Sequence, residues 1–294
     1  LSYSMQWTVN EIEESTLLRS FLQQKNISKH ALTEIKFEGG RIEVNGEEAT
    51  VRKILTQGDC VKITFPEEKR SNSLIGESIP LSIVYEDETV LVVNKPPYMS
   101  TIPSREHPSG SLANALIGYY DEQGLSSSVH IVTRLDRDTS GLLLVAKHSH
   151  AHHLLSQSQQ KREVKRTYYA VVHGMVKPLV GSIDSPIGRK DTSIIEREIR
   201  ADGQTALTHY VVEKYVNDDS LVCLRLDTGR THQIRVHMSS IGHPLLGDDL
   251  YGGRIDRSLR QALHCAELAF IHPLTGEALL FKSELPQDMK DLLS

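Results

Sequence analysis

The stretch from Thr133 to Ala146, Thr-Arg-Leu-Asp-Arg-Asp-Thr-Ser-Gly-Leu-Leu-Leu-Val-Ala, limits what this chain can fold into more than any other. Its second half, Gly141 to Ala146, is a short unbroken apolar run bounded by Ser-Gly, the pattern of a buried strand. Its first half places Asp136, Asp138, Arg134 and Arg137 in the turn that feeds the strand. A polar turn at the mouth of a buried strand suits reactive groups, because the scaffold is rigid while the loop reaches solvent. On spacing alone the favoured reading is plainer: an Asp-rich turn in which Asp138 or Thr139 bonds the local backbone.

The flanking sequence predicts two units. Leu17, Leu18, Phe21 and Leu22 share one face of a helix over Thr16–Gln24, with Ser15 as its N-cap, and Ser28 caps a second helix that stops by Gly39-Gly40. Arg41–Val44 alternates as a strand, Asn45-Gly46 is a hairpin turn, and Cys60–Phe65 reads as another strand. Pro66 to Ser78, charged and serine-rich, reads as a linker.

Leu81–Tyr85 and Val90–Asn94 then predict a hairpin ended by Lys95-Pro96-Pro97, since neither proline has an N–H to donate. Residues 98–110 form a loop, and Ser111 caps the next helix. After the central stretch come a helix over Ala151–Gln160, a strand over Thr167–His173, and paired strands Leu207–Val216 and Leu221–Asp227. A helix from Thr231 to about Ser240 points Ile234, Met238 and Ile241 inward, and a last hairpin joins Leu263–Ile271 to Ala278–Lys282. Many strands without a βαβ rhythm predict an α+β domain with a largely antiparallel sheet. The expected division is a small α+β domain over residues 1–66, a linker over 67–79 and the larger domain over 80–294.

Hydrophobic residues at 39% and charged residues at 24% argue against disorder and membrane insertion. No apolar run approaches the roughly 20 residues that span a bilayer, and Leu1 to Val9 lack a signal-peptide pattern, so a cytoplasmic location is expected. Cys60, Cys223 and Cys265 are scattered and odd in number, which suggests neither a disulfide framework nor a zinc site. The net charge of −5 opposes a polyanionic partner at long range. It arises in residues 1–90, with ten Lys and Arg against fifteen Asp and Glu; the remaining 23 and 23 cancel. The basic run Lys161-Arg162-Glu163-Val164-Lys165-Arg166 leaves room for a local phosphate surface.

The residues Arg134 to Gly141, together with Arg-Thr-His-Gln-Ile-Arg-Val-His from Arg230 to His237, resemble the RluA-type family of RNA pseudouridine synthases. Asn94-Lys95-Pro96, Arg166-Thr167-Tyr168-Tyr169-Ala170 and Gly242 to Asp248 extend the likeness, in the family's order, over roughly residues 80 to 285. The resemblance implies the pseudouridine synthase fold, an isomerase acting on RNA by base flipping, and no cofactor or metal. It implies Asp136 as the catalytic aspartate, Arg235 as its ion-pair partner and Tyr168 as the active-site tyrosine. Arg134 would fill the space left by an extruded uridine, and Lys95, Arg230, His232 and Gln233 would bind substrate. Two helices followed by strands, with Ile-x-Val-Asn-Gly and Gly-Asp, resemble the alpha-L RNA-binding domain of a ribosomal protein. That likeness implicates Lys25, Lys29, His30 and Lys36. Large-subunit ribosomal RNA is the first expected substrate class, transfer RNA the second, and a monomer is expected.

Two positions depart from the family pattern: Thr133 stands where histidine is common, and Tyr98 where glycine usually follows Lys-Pro-x. They bear on substrate fit and loop geometry more than on chemistry. Rival readings are a metal hydrolase using His148, His150, His152 and His153, a glycosidase using Asp136 and Asp138, and a catalytically silent RNA-binding or ribosome-assembly factor.

Overall fold

The computed structural model describes residues 3–294; Leu1 and Ser2, part of the segment read for a leader, lie outside the described residues. Its first unit is a four-stranded sheet in the order β1-β4-β2-β3, built from β1 (Ser4–Thr8), β2 (Arg41–Val44), β3 (Glu47–Glu48) and β4 (Cys60–Thr64). α1 (Leu18–Gln24) and α2 (Lys29–Phe37) pack Leu18, Phe21, Leu22, Leu32 and Ile35 onto it, forming a core of their own with Val44, Val61 and Ile63. The Ser28 hydroxyl accepts from the Ala31 N–H at 3.0 Å, as the cap pattern predicts, and Asn45-Gly46 turns the hairpin with both residues at positive φ. Ser15 does not cap α1. It sits at φ 62°, its N–H bonded to the Leu55 carbonyl, and the helix starts after Leu17 without a side-chain cap.

The second unit is a ten-stranded sheet. Its strands are β5 (Ile83–Glu86), β6 (Val90–Lys95), β7 (His130–Ile131), β8 (Ser140–Ala146), β9 (Lys165–His173), β10 (Val180–Asp184), and later β13 (Leu207–Val216), β14 (Asp219–Leu226), β15 (Leu263–Ile271) and β16 (Ala278–Lys282). The main path runs β10-β13-β14-β9-β15-β8-β6-β5, with β16 beside β15 and β7 beside β8. α3 (Leu112–Glu122) and α4 (Ser149–Gln160) contribute Leu112, Leu116, Ala151 and Leu155 to its core. β11 (Ile187–Arg189) and β12 (Arg197–Ile199) form a separate hairpin, α5 (Gln233–Ser240) follows β14, and α6 (Gln287–Asp291) closes the chain.

Every pairing of the large sheet is antiparallel except β8 with β15, where only His264↔Ser140 and Cys265↔Gly141 pair. That contact requires glycine at 141. Gly141 lies at φ 116°, and a Cβ there would collide with the Cys265 backbone. All seven residues of β8 are buried, as its apolar run predicts. The same register places Tyr168 of β9 opposite Cys265, so the end of β8 and the middle of β9 meet across one strand. The α5 stripe differs from expectation at one position: Ile234 and Met238 are buried, while Ile241 is the helix C-cap and exposed.

The stretch read as a linker is fastened to the large unit. Glu68 accepts from the Ser128 and Ser149 N–H groups at 2.8 and 2.6 Å and pairs with His130 at 2.7 Å. Burial raises the Glu68 carboxyl, but these partners outweigh it and hold it down at about 2. Arg70 binds Asp121 and the Leu125 and Ser127 carbonyls. Nearby, Tyr3 stacks on His148 with ring centroids 3.7 Å apart, and Phe65 stacks on His150.

Burial pushes His148 down to about 3 and His150 and His264 to about 4, so all three are neutral in the fold. The unfolded chain takes up protons on them below about pH 6.5, so stability falls as pH drops from there toward 4. Urea unfolding at pH 7 and pH 5 tests this: the midpoint should fall, reflecting a loss of up to about 2 kcal/mol per imidazole in unfolding free energy. His150→Phe should shrink the difference, and an unchanged midpoint in the wild type would contradict it.

Candidate active site

The turn bearing Asp136 is held from several directions at once. Thr101 Oγ1 donates to the Leu135 carbonyl at 2.6 Å, Lys95 Nζ to the Arg137 carbonyl at 3.0 Å, and Arg260 Nη1 to the Asp138 carbonyl at 2.9 Å. Within the turn the Thr139 N–H closes onto the Asp136 carbonyl at 3.1 Å. Backbone dipoles on both sides of Asp136 are therefore satisfied, and its side chain alone projects into the cleft.

α5 brings Arg235 to that carboxylate. Asp248, 1% exposed, receives Arg235 Nε and Nη2 at 2.7 and 2.8 Å, a two-pronged pairing that fixes the guanidinium plane. Nη1 remains and donates to Asp136 Oδ2 at 3.2 Å. Asp136 is the more open of the two carboxylates, its side chain 27% exposed. One buried cation thus joins a structural carboxylate to one that faces solvent.

Asp136, Tyr168, Arg235, Arg134, Arg230 and His232 line one cavity of about 70 Å³, with Leu226, Ile234 and Leu263 supplying apolar wall. It opens beside a second space of about 400 Å³ lined by Arg134, Arg137, Arg166 and Arg230. The pair has the form of a small slot with a carboxylate and an apolar wall inside and guanidiniums at its mouth, suited to a flat polar ring attached to a phosphate chain. Burial raises the Tyr168 phenol, so it stays protonated. Arg166 donates to its oxygen at 3.2 Å.

Two of the expected substrate contacts lie inside the protein. Lys95 is 1% exposed, and its ammonium donates to the Pro96, Met99 and Arg137 carbonyls; burial pushes it down to about 7. It braces the Asp136 turn instead of reaching the cleft. Gln233 touches the cavity wall, but its amide is fully engaged: Oε1 accepts from Thr228 and the Arg230 N–H, and Nε2 donates to Leu207 and Thr208. Arg134 and Arg230 are exposed at the mouth, Arg230 steadied by the Thr205 carbonyl. In the small unit Lys25 is tied to Glu13 at 2.8 Å, whereas Lys29 and His30 stand exposed and Lys36 borders a cavity of about 550 Å³ with Arg41 and Arg52.

Sequence reasoning missed Asp248, Thr101, Arg41 and Arg52 as contributors, whereas Arg166 lay in the basic run singled out for a phosphate surface. Asp248 had a signal, the first of two adjacent carboxylates ending the Pro-Leu-Leu-Gly run. Thr101, in a loop, had none. Of the two departures, Thr133 is accounted for by place, being buried with its hydroxyl accepting from the Leu144 N–H at 2.9 Å; Tyr98 sits at φ 64°, the left-handed region where glycine is favoured, and nothing in the structure explains the tyrosine.

A model of the RNA pseudouridylate synthase family matches residues 89–240, which hold Asp136, Tyr168 and Arg235. The chain belongs to that family and is an RNA pseudouridine synthase, an isomerase. It is 54% identical over 276 residues to the uncharacterised RNA pseudouridine synthase YjbO of Bacillus subtilis, covering 94% of this chain and 98% of that one. It is 39% identical over 267 residues to ribosomal large subunit pseudouridine synthase D of Vibrio parahaemolyticus, covering 85% and 81%. Among solved structures, human RNA pseudouridylate synthase domain containing 1 matches with a TM-score of 0.61 at 30% identity, over 74% of this chain and 90% of that one.

The two carboxylates of Arg235 should respond unequally to neutralisation. Asp248→Asn leaves a buried guanidinium without its main partner and should cost about 3–5 kcal/mol in chemical denaturation. Asp136→Asn, at the open end, should cost less than about 1 kcal/mol. Equal losses would contradict the division into anchor and working group. Tyr98→Gly should raise stability by about 1 kcal/mol by relieving the left-handed backbone, read as a higher denaturation midpoint.

Proposed function

We propose that this chain isomerises uridines of large-subunit ribosomal RNA, with Asp136 as the catalytic carboxylate. The observation that carries the reading is the Arg235 guanidinium, locked by Asp248 and aimed at Asp136 in the cavity that Tyr168 also lines. Isomerisation to pseudouridine breaks the bond from uracil nitrogen 1 to the ribose, turns the base and rejoins it through carbon 5. The proton lost from carbon 5 balances the one gained on nitrogen 1. The ionised Asp136 acts as nucleophile or ion-pair stabiliser while the bond breaks, and Arg235 supplies its fixed counter-charge. Tyr168 packs against the freed base and keeps it from leaving.

The reacting atoms are hidden in a stacked helix, so the uridine must leave the stack to enter the slot. Arg134, exposed at the mouth, fills the space it vacates, and Arg137, Arg166 and Arg230 hold the neighbouring phosphates. The choice of large-subunit ribosomal RNA is supported by relatives that carry that substrate in their names, such as ribosomal large subunit pseudouridine synthase D of Vibrio parahaemolyticus. Residues 1–66 act as a second RNA-binding element, with Lys36, Arg41 and Arg52 as its basic face and residues 80–294 as the catalytic part. Lys29 and His30 lie at the start of α2, within reach of the same RNA.

Pseudouridine maps of total RNA test the assignment, using cells that lack the protein and are rescued with wild type or Asp136→Ala. A large-subunit ribosomal site restored only by wild type is the expected result. A restored site confined to transfer RNA would replace the substrate, and full rescue by Asp136→Ala would remove Asp136 from the chemistry. In binding assays Arg134→Ala should weaken RNA affinity and flatten its dependence on log salt by about one.

A further inference from the structure

Tyr251 stands at a junction outside the residues assigned above. Its ring lies under the Arg235 guanidinium, 4.9 Å from ring centre to Cζ, and packs against the small core of Ile187, Ala206 and Val236 that seats the β11–β12 hairpin. Its hydroxyl accepts from the Arg197 N–H of that hairpin at 2.9 Å and lies 2.7 Å from His232 Nδ1. Across the same imidazole, Nε2 is 3.8 Å from Asp136 Oδ2.

A phenol has one hydrogen. The Arg197 N–H takes an acceptor site on the oxygen, and His232 Nδ1, 2.7 Å away, is the ring nitrogen placed to accept that hydrogen. The ring proton of the neutral imidazole is then left on Nε2, facing Asp136. Burial lowers His232, which agrees with a neutral ring. His232 itself is held in an uncommon place, the left-handed N-cap of α5 at φ 56°, without a side-chain bond to the helix. The Tyr251 hydroxyl is the hydrogen-bond partner that fixes the ring.

We propose that Tyr251 is a positioning residue for the isomerisation: by holding His232 as the Nε2–H tautomer, it keeps an uncharged N–H donor aimed at the Asp136 carboxylate. The separation of 3.8 Å is too long for a hydrogen bond at rest. A small rotation of the carboxylate closes it, so the donor meets charge that moves on Asp136 during the reaction. Arg235 holds one side of that carboxylate as a full cation, and His232 stands ready on the same oxygen without adding a second positive charge. Because the Arg197 N–H sets the direction of the phenol hydrogen, the seating of the β11–β12 hairpin enters the site through the same oxygen. This inference rests on Asp136 being the catalytic carboxylate.

The tautomer is read directly by nitrogen-15 chemical shifts of the histidine rings in the full chain, assigned by comparison with His232→Gln. The wild type should show a neutral ring protonated on Nε2 at pH 7, and Tyr251→Phe, which keeps the aromatic ring under Arg235, should lose that preference. Activity is followed by tritium release from carbon 5 of uridine-labelled large-subunit ribosomal RNA. Tyr251→Phe should lower kcat about 10- to 100-fold with KM within about twofold. His232→Gln, whose amide reaches the Nε2 place, should retain more activity than His232→Asn, whose amide reaches only the Nδ1 place.

A wild-type ring protonated on Nδ1, or doubly protonated at pH 7, overturns the proposal. So does a Tyr251→Phe enzyme with unchanged kcat, a loss confined to KM, or equal losses in the two His232 variants. If no RNA releases tritium with wild type, the function assigned to Asp136 fails, while the ring measurement still decides whether Tyr251 sets the tautomer.

Discussion

The site is organised around one guanidinium shared unequally by two carboxylates. Arg235 arrives on α5, Asp248 lies 13 residues later, and Asp136 comes from a turn 99 residues earlier. The buried half of the arrangement is geometrically saturated: two parallel bonds to Asp248 fix the plane and direction of the cation. The open half is a single bond at 3.2 Å, which leaves Asp136 free to exchange it for contacts with a substrate. A buried ion pair of this kind adds little net stability, because desolvation offsets attraction. Its value here is orientation, since a cation whose position is set by the core would need no reorganisation in the reaction proposed for Asp136.

Around that cation the sheet supplies the frame. The brief parallel contact between β8 and β15 brings the Asp136 turn to the strand that neighbours Tyr168, and Gly141 allows the two backbones to meet. Lys95, Thr101 and Arg260 then clamp the turn from β6, the following loop and the segment before β15. Lys95 and Arg260 both face inward: Lys95 gives its donors to carbonyls, while Arg260 pairs with Asp288 through Nε and Nη2 and serves carbonyls through Nη1. This is an expensive way to hold a loop, and it fits a turn that must present a carboxylate while staying rigid.

Much of this was legible in the sequence. The strands of the large sheet follow from apolar runs and turn residues, α2 and α3 from their serine caps, and the Asp136–Arg235 pairing from the resemblance to a known family. What could not be read has a common cause. Whether Lys95 or Gln233 faces the cleft or the interior depends on carbonyls and hydroxyls supplied by distant segments. The left-handed backbone at Ser15, Tyr98 and His232 is imposed by packing on residue types that do not favour it. β1, the short β11–β12 hairpin and α6 are too brief to carry a clear periodicity. Charge count was misleading as well: an acidic chain still gathers four guanidiniums around its cleft, because affinity for a phosphate chain is set locally.

The fastening of residues 67–79 changes what the small unit is. With Glu68 bound to Ser128, Ser149 and His130, and Arg70 to the end of α3, the segment behaves as a strut between two bodies. A flexible tether would let the small unit raise the local concentration of RNA near the cleft at any spacing. If residues 1–66 bind RNA as proposed, a strut would make the unit a gauge, whose span would set how far from a structured feature a uridine must lie to reach the cleft. Selectivity among uridines would then be a matter of length and angle, read by the scaffold, as much as of the bases beside the target.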